Sequence, residues 1–180
     1  MGSCSTPHII FTHHIHLFPT PFPTTNQSVD ITKVLIDNQN FNIFSSLLSS
    51  SGVIDDFNRA QRNAGVTIFA PSDADFAKLS ESGRLQSLPA DQKVLVLKFH
   101  GIHSYYSKSI LKTLVNPFQP TLATEATSAG SYRFSLSHFR GNVFINTGVD
   151  NRTVVLKTIY DHKPVAIYSV SNVLLPTYLF

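Results

Sequence analysis

Apolar residues follow a helical spacing through the first half of the chain after residue 28. They recur three or four positions apart, which places them on one face of each helix. Asp30 precedes the first of these segments and can cap its helix, and Ser107 can do the same for the last. The pattern predicts helices at 31–36, 41–52, 53–62, 73–79, 92–100 and 107–114.

The segment 66–76, VTIFAPSDADF, predicts a strand that leads directly into a helix. β-Branched and aromatic residues fill it as far as Ala70, as in a buried strand. Pro71 ends the strand because proline offers no N–H to a ladder. Ser72 can cap the following helix, and Asp75 stands three residues later as the acidic partner of a capping box.

After residue 116 the apolar period changes to two, which is typical of β-strands. Gly141–Asn142 predicts a hairpin turn, and Pro164 is acceptable as the first residue of a strand. The predicted strands are 118–123, 132–136, 143–147, 154–160 and 165–175. Helices precede strands along the chain, so we predict an α+β fold with an antiparallel sheet.

Residues 1–28 differ in composition from the rest of the chain. They contain four histidines and alternate prolines but no Lys, Arg, Asp or Glu. Histidines interrupt the partly apolar run 9–18 and no basic residue precedes it, so it matches a secretory signal poorly. We therefore expect a leader or extended segment at 1–28 and one folded domain at 29–180.

Charge and cysteine content argue against several classes of protein. The chain has 14 basic and 11 acidic residues, and the basic ones are scattered, which is unlike a nucleic-acid-binding surface. Cys4 is the only cysteine, so no internal disulfide can form. No apolar run approaches the ~18 residues that span a bilayer. We expect no nucleic-acid partner and no transmembrane segment.

Three separated segments resemble the fasciclin domain, an extracellular adhesion module. The first is TIFAPSDADF at 67–76, and the second is LKFHGIHSYYS at 97–107, which is similar to the family's central Tyr-His segment with Phe99 in place of the tyrosine. The third is VAIYSVSNVLLP at 165–176, and the order and spacing of all three are those of the family. The resemblance implies structural signature roles for Thr67, Phe69, Ala70, Pro71, Ser72, Asp73, Phe76, Phe99, His100, Leu174, Leu175 and Pro176.

In detail the chain is most similar to the single-domain fasciclin-like arabinogalactan proteins of plant cell walls. That resemblance implies a β-wedge of antiparallel strands packed with helices, without catalytic residues or a cofactor. It implies a secreted module of the cell wall or outer cell surface, whose partners are wall polysaccharides or wall and cell-surface proteins. We expect a monomer.

Two features of this family have no counterpart in the chain as given. The mucin-like tail and the apolar anchor signal do not follow Phe180, so a lipid anchor has no support. Together with the poor signal, this keeps open an alternative: a truncated family copy that is not secreted.

Asn26 and Asn151 are the candidate glycosylation sites. Asn26–Gln27–Ser28 and Asn151–Arg152–Thr153 fit the acceptor pattern for N-linked glycans. Asn151 falls between predicted strands, where a glycan has room.

His100 and His103 open a second alternative, a small-ligand or metal-binding domain. They stand three residues apart, but no Cys, Asp or Glu cluster joins them, and a metal site needs three or four ligands. We expect instead a half-buried His100 held by backbone hydrogen bonds, and we assign no metal ligand and no catalytic residue. The neighbouring Tyr105 and Tyr106 fit either contacts with a sugar or protein partner or the margin of the core.

Asp73 and Asp75 could be a catalytic carboxylate pair, but they also suit the first turn of a helix, where the helix dipole favours negative charge. The chain has no Gly-x-Ser-x-Gly elbow and no phosphate-binding glycine loop. The sequence therefore predicts a protein that is not an enzyme.

Overall fold

Seven helices are present in the computed structural model, which describes residues 1–2, 28–127, 132–149 and 152–180. Asp30 caps the first as expected, because its carboxylate accepts a hydrogen bond from the backbone N–H of Lys33 at 2.9 Å. The helices are α1 Ile31–Asp37, α2 Asn42–Ser50, α3 Val53–Asn63, α4 Asp73–Glu81, α5 Ala90–Lys98, α6 Lys108–Thr113 and α7 Leu122–Thr127.

Seven strands accompany these helices in the described part of the chain. They are β1 Val66–Pro71, β2 Gly101–Ile102, β3 Phe118–Pro120, β4 Arg133–Phe139, β5 Asn142–Asn146, β6 Thr153–His162 and β7 Val165–Val170. They form one sheet in the order β2-β1-β7-β6-β5-β4-β3. The predicted α+β class is confirmed.

Three local expectations from the sequence were wrong. The predicted strand 118–123 stops at Pro120, because Thr121 turns the chain into α7 and its backbone N–H donates to Thr124 Oγ1 at 3.1 Å. The long last strand stops at Val170. The hairpin turn lies at Arg140–Gly141, one residue earlier than predicted, and both residues have positive φ as a two-residue hairpin turn requires.

The sheet is mixed rather than wholly antiparallel. β1 and β7 pair in parallel from Val66↔Val165 to Pro71↔Val170, whereas every other pair in the order above is antiparallel. The chain between β1 and β7 is long enough to cross over and return in either direction. Every residue of both strands is buried, as expected for strands with protein on both faces.

Side chains of β1 and β7 alternate between two hydrophobic cores. Ile68 and Ile167 point into the first core, which the amphipathic helices α1 to α3 cover with Leu35, Phe44 and Phe57 among others. Phe69 and Tyr168 point into the second core, which Phe99, Phe134 and Ile145 complete. The two central strands therefore separate a helical layer from the β-rich half of the domain.

β6 joins the two halves of the sheet. Its first residues, Thr153 and Val154, pair with β5, and the rest of the strand, from Val155 to His162, pairs with β7. Two register shifts lie in that second part, the first between Val155 and Lys157. Bulges of this kind bend a strand and increase its twist. Among the described residues, no helix is long and apolar enough to cross a membrane.

Candidate functional site

The three signature segments meet at His100. This residue follows α5 and is fully buried, so the expectation of a half-buried side chain was wrong. Its ring Nδ1 lies 2.8 Å from the carbonyl oxygen of Val96, and its Nε2 accepts the backbone N–H of Leu174 at 3.0 Å. Its own carbonyl oxygen accepts the N–H of Phe69 at 2.9 Å. One residue thus connects α5, β1 and the segment that follows β7.

The two backbone partners fix the protonation of His100. A nitrogen that accepts an N–H carries no proton, so the hydrogen of the neutral ring is on Nδ1 and donates to Val96. Burial lowers the pKa of His100 to about 4, although the hydrogen bond to Val96 opposes this shift. The ring packs 5.4 Å from the ring of Phe44. Both nitrogens are occupied, so neither can take a metal ion or a substrate proton.

Thr67 makes a second connection between the signature segments. Its hydroxyl donates to the carbonyl oxygen of Ser104 at 2.6 Å and accepts the backbone N–H of Tyr106 at 2.8 Å. Tyr168 on β7 donates its phenol hydrogen to the carbonyl oxygen of Tyr106 at 2.8 Å. The loop after β2 is therefore held by side chains of both central strands.

The structure places the two tyrosines of this loop at the margin of the second core. Tyr105 donates its hydroxyl to Asp161 Oδ1 at 2.7 Å, and this bond raises the pKa of Tyr105 to about 12. The other oxygen of Asp161 accepts the backbone N–H of Lys108 at 3.1 Å. Tyr106 packs on the same core and donates its hydroxyl to Gln119 at 3.2 Å. Each phenol thus donates its hydrogen within the protein, as expected at the margin of a core.

The predicted capping box of α4 is confirmed. Ser72 Oγ accepts the backbone N–H of Asp75 at 3.3 Å, and Asp75 Oδ2 accepts the backbone N–H of Ser72 at 3.0 Å. Ser72 also donates its hydroxyl hydrogen to Asp75 at 2.6 Å. The Asp75 carboxylate is thus engaged at the start of its own helix.

Asp73 has a role that sequence reasoning missed. Its carboxylate accepts the backbone N–H of Ile43 at 2.8 Å and the side-chain amide of Asn42 at 3.3 Å, both in the first turn of α2. The residue before α2, Phe41, has no side chain that could cap the helix. Asp73 therefore caps α2 from another helix, and Asp73 and Asp75 do not form a carboxylate pair around a substrate.

The remaining signature positions lie in or beside the cores. Phe69 and Phe99 each meet the ring of Phe134 edge-on at 5.6 Å between centroids, and Phe76 stacks on Phe44 at 6.2 Å. Ala70, Leu174 and Leu175 are buried, and Pro71 ends β1. Pro176 forms an isolated bridge with Gly148.

His103 lies apart from the contacts of His100, in an open cleft of about 490 Å³ beside α3, α5 and α7. Its Nε2 is 3.0 Å from the carboxylate of Glu125. In the same cleft Asp56 pairs with both Arg59 and Lys98 at 2.9 Å. Within the described ranges no three His, Cys, Asp or Glu residues come together as a metal site.

The two asparagines predicted to carry glycans lie outside the described residues. The residues that complete their acceptor patterns are described: Ser28 is exposed, and Thr153 is buried at the start of β6, opposite Ile145. Glycosylation at Asn26 and Asn151 stays a prediction, as does the division between a leader at 1–28 and a domain at 29–180.

The model of one protein family, described as "Fasciclin domain", matches residues 39–176. The chain belongs to the fasciclin domain family. The resemblance read from the signature segments is confirmed by this match and by relatives from Arabidopsis thaliana. In that family fold, the three segments that carried the resemblance are the ones that converge on His100 and Thr67.

Two plant relatives illustrate the similarity. Fasciclin-like arabinogalactan protein 4 of Arabidopsis is 46% identical over 168 residues, which are 89% of this chain and 40% of the relative. Fasciclin-like arabinogalactan protein 12 is 35% identical over 178 residues, which are 98% of this chain and 68% of the relative. The chain thus spans well under half of the first relative's length.

A solved structure shows the same fold. It is a FAS1 domain pair from the insect cell adhesion molecule fasciclin I, with a TM-score of 0.57 over 77% of this chain and 46% of that chain. Sequence identity is 17%, so this comparison supports the architecture alone.

Proposed function

We propose that this chain is a non-enzymatic adhesion module of the plant cell surface or cell wall. Its partners would be wall polysaccharides or wall and cell-surface proteins. Membership of the fasciclin domain family and similarity to Arabidopsis arabinogalactan proteins support the proposal. The finer assignment to the wall, or to secondary wall formation, follows from the resemblance of the sequence to plant fasciclin-like arabinogalactan proteins and is part of the proposal.

The observation that carries the proposal is the outer face of β3, β4 and β5. We define this outer face as the side chains of these strands that point away from the second core. The register of the strand pairs identifies them. Phe118 lies opposite Ser135, and Ser137 lies opposite Phe144. The outer face consists of Phe118, Pro120, Arg133, Ser135, Ser137, Phe139, Asn142, Phe144 and Asn146.

Aromatic rings and small polar groups alternate on this face. Phe118 and Phe139 are each 60% exposed, and the three phenylalanines belong to neither hydrophobic core. Exposed apolar surface with a polar surround is typical of interaction sites. The rings offer flat apolar area to a sugar ring or a protein side chain, and the hydroxyl and amide groups can bond to its polar atoms.

His100, the Asp73–Asp75 pair and Asp161 are engaged in structural bonds. Both nitrogens of His100 have backbone partners, Asp73 and Asp75 cap helices, and Asp161 binds Tyr105 and the N–H of Lys108. A general base needs a free position within reach of a substrate proton. This arrangement supports a binding protein rather than a catalyst.

The proposal includes secretion as a glycoprotein. Residues 1–28 would form a leader, residues 29–180 the adhesive domain, and Asn26 and Asn151 would carry N-linked glycans on a monomer. The acceptor patterns and the family support this part. It is tested by expression in plant cells, with intact mass before and after glycosidase treatment of medium and lysate. An unmodified product confined to the cytosol would contradict it.

Adhesion is tested with beads that carry the purified chain, mixed with isolated plant cell-wall material. We expect the beads to bind and the double variant Phe118→Ser/Phe139→Ser to lose most of the binding. The control is Ile36→Ser/Ile43→Ser, because these isoleucines are also exposed, at 51% and 41%, but lie on α1 and α2. Equal loss in both double variants, or no binding by the parent chain, would refute the role of this face.

A further inference from the structure

A small basic cleft lies between α6, the bulged part of β6 and the β4–β5 turn. Its volume is about 110 Å³, and Lys108, Lys112, Lys157, Leu156 and Gly141 are among the residues that line it. All three lysines are exposed. No Asp or Glu is among the described residues that line the cleft, so the charge of this lining is entirely positive.

Among the residues that the structure describes, the three lysines have no counter-ion. Elsewhere Lys33, Lys78 and Lys98 each form an ion pair, but within the described ranges no carboxylate approaches the ammonium groups of the cleft lysines within 4.0 Å. Asp161 contacts this region through the backbone N–H of Lys108, and its other oxygen binds the hydroxyl of Tyr105. Three like charges around one cleft repel each other, and an anion would relieve that repulsion.

The three charges come from two elements, α6 and β6, so each can meet a different group of an extended anion. Lys108 and Lys112 are four residues apart on one helix, so their Cβ atoms are about 6 Å apart on the same side. Lys157 approaches from β6, across the cleft. Lysine ammonium groups act as separate point charges, so each can pair with its own carboxylate along an anionic chain.

Apolar and polar contacts are available beside the charges. Leu156 lies at the register shift of β6 and is 62% exposed. Asn142 also lines the cleft, is exposed, and has a side-chain amide that can bond to sugar hydroxyls. Asn142 pairs with Phe139 of the outer face, so the cleft meets that face at the β4–β5 turn.

We propose that this cleft binds the carboxylates of an acidic polysaccharide, a polyuronate, whose chain continues onto the outer face. This inference rests on the proposed function and names the chemistry of the partner. Sugar carboxylates would pair with Lys108, Lys112 and Lys157, and Leu156 would contact a ring. Since the pairs are exposed to solvent, salt would weaken the complex.

The test uses the full chain and titrates it with unesterified polygalacturonate by calorimetry at low salt. Saturable binding is expected, with a Kd at least about tenfold weaker for Lys112→Gln/Lys157→Gln, which corresponds to two lost charge contacts. The matched control is Arg62→Gln/Lys163→Gln, which removes the same charge from exposed residues elsewhere. Its Kd should stay within about twofold of the parent's. Equal weakening in both double variants would show a net-charge effect only and would overturn the proposal.

Two further ligands test whether the cleft recognises the carboxylates of the polymer or any small anion. The methyl ester of the same polymer has the same backbone without charges and should bind at least about tenfold more weakly. Inorganic phosphate, added as a competitor at concentrations equal to those of uronate residues, should not displace the polymer. Displacement by phosphate would show a site for compact anions and overturn the proposal. If the beads bind wall material but calorimetry detects no binding of polyuronate, this inference is refuted and the proposed function stands.

Discussion

The imidazole Nε2 of His100 accepts the backbone N–H of Leu174 at 3.0 Å, although 74 residues separate them along the chain. The bond joins the end of α5 to the segment that follows β7, inside a fully buried environment. An unsatisfied buried N–H costs about 1–3 kcal/mol, so this pair holds the last signature segment against the sheet.

Replacing His100 should weaken the fold. His100→Ala removes the partners of both Leu174 N–H and Val96 carbonyl and leaves a cavity beside Phe44. We expect the free energy of unfolding to fall by roughly 2–4 kcal/mol at pH 7. Urea unfolding measures this change, and the exposed His162, changed to Ala, is the matched control. A parent-like midpoint for His100→Ala would contradict the structural role.

The burial of His100 also predicts acid sensitivity. Its pKa is about 4 in the folded chain and about 6.5 when unfolded, so the unfolded state binds the proton first. The stability contributed by the neutral ring is complete above about pH 6.5 and is lost as pH falls towards 4, by up to about 3 kcal/mol. Urea midpoints between pH 7.5 and 4 should show a shallower decline for His100→Leu than for the parent. Parallel declines would assign the acid sensitivity to other groups.

Thr67→Val should destabilise the chain although it keeps the side-chain shape. The change removes one acceptor and one donor at once and leaves Ser104 carbonyl and Tyr106 N–H without this partner. We expect a loss of about 2 kcal/mol in unfolding free energy. Thr158→Val is the control, because Thr158 Oγ1 is buried without a partner among the described residues and should lose little or nothing. Calorimetric melting distinguishes the two, and equal effects would contradict the role of Thr67.

Asp73→Ala should loosen α2 rather than only its own helix. The carboxylate caps the first turn of α2 through Ile43 N–H, and a lost cap costs about 1 kcal/mol. Hydrogen exchange of amides in α2 should therefore accelerate. Asp55→Ala removes an exposed acidic residue from the first turn of α3 and should change α2 exchange little. Faster exchange confined to α4 would refute capping between helices.

The Asn151 acceptor pattern should be used only before folding. Thr153 is 1% exposed and lies in the ladder with Ile145, so the hydroxyl that completes the pattern is enclosed in the folded chain. Nascent chains made with microsomes should gain a glycan at Asn151 that Thr153→Ala abolishes and Thr153→Ser retains. Folded, unglycosylated chain added to detergent-opened microsomes, in which it can reach the lumenal enzyme, should remain unmodified at Asn151. Equal modification of both would contradict the prediction.

Some of this protein could be predicted from the sequence because the determining contacts are local. Apolar periodicity gave every helix of the described residues except α7, and most strands; the Ser72–Asp75 capping box spans three residues. The three signature segments were sufficient to indicate the family. At residues 121–123 the alternation of apolar and polar residues was misleading. It predicted a strand, but the hydrogen bond between Thr121 and Thr124 starts α7 there.

Tertiary structure alone decided the rest, because the deciding partners are distant in sequence. Three features join segments at least 30 residues apart in the chain: the parallel pairing of β1 with β7, the cap that Asp73 gives to α2, and the bond between His100 and Leu174. The bond from His100 to Val96 is local. Periodicity reports which face of an element is apolar, but it does not report which distant group satisfies a buried donor or which lysines share a cleft. The path of the chain between strands and the packing of helices on the sheet determine those contacts. They bring Lys108, Lys112 and Lys157 together.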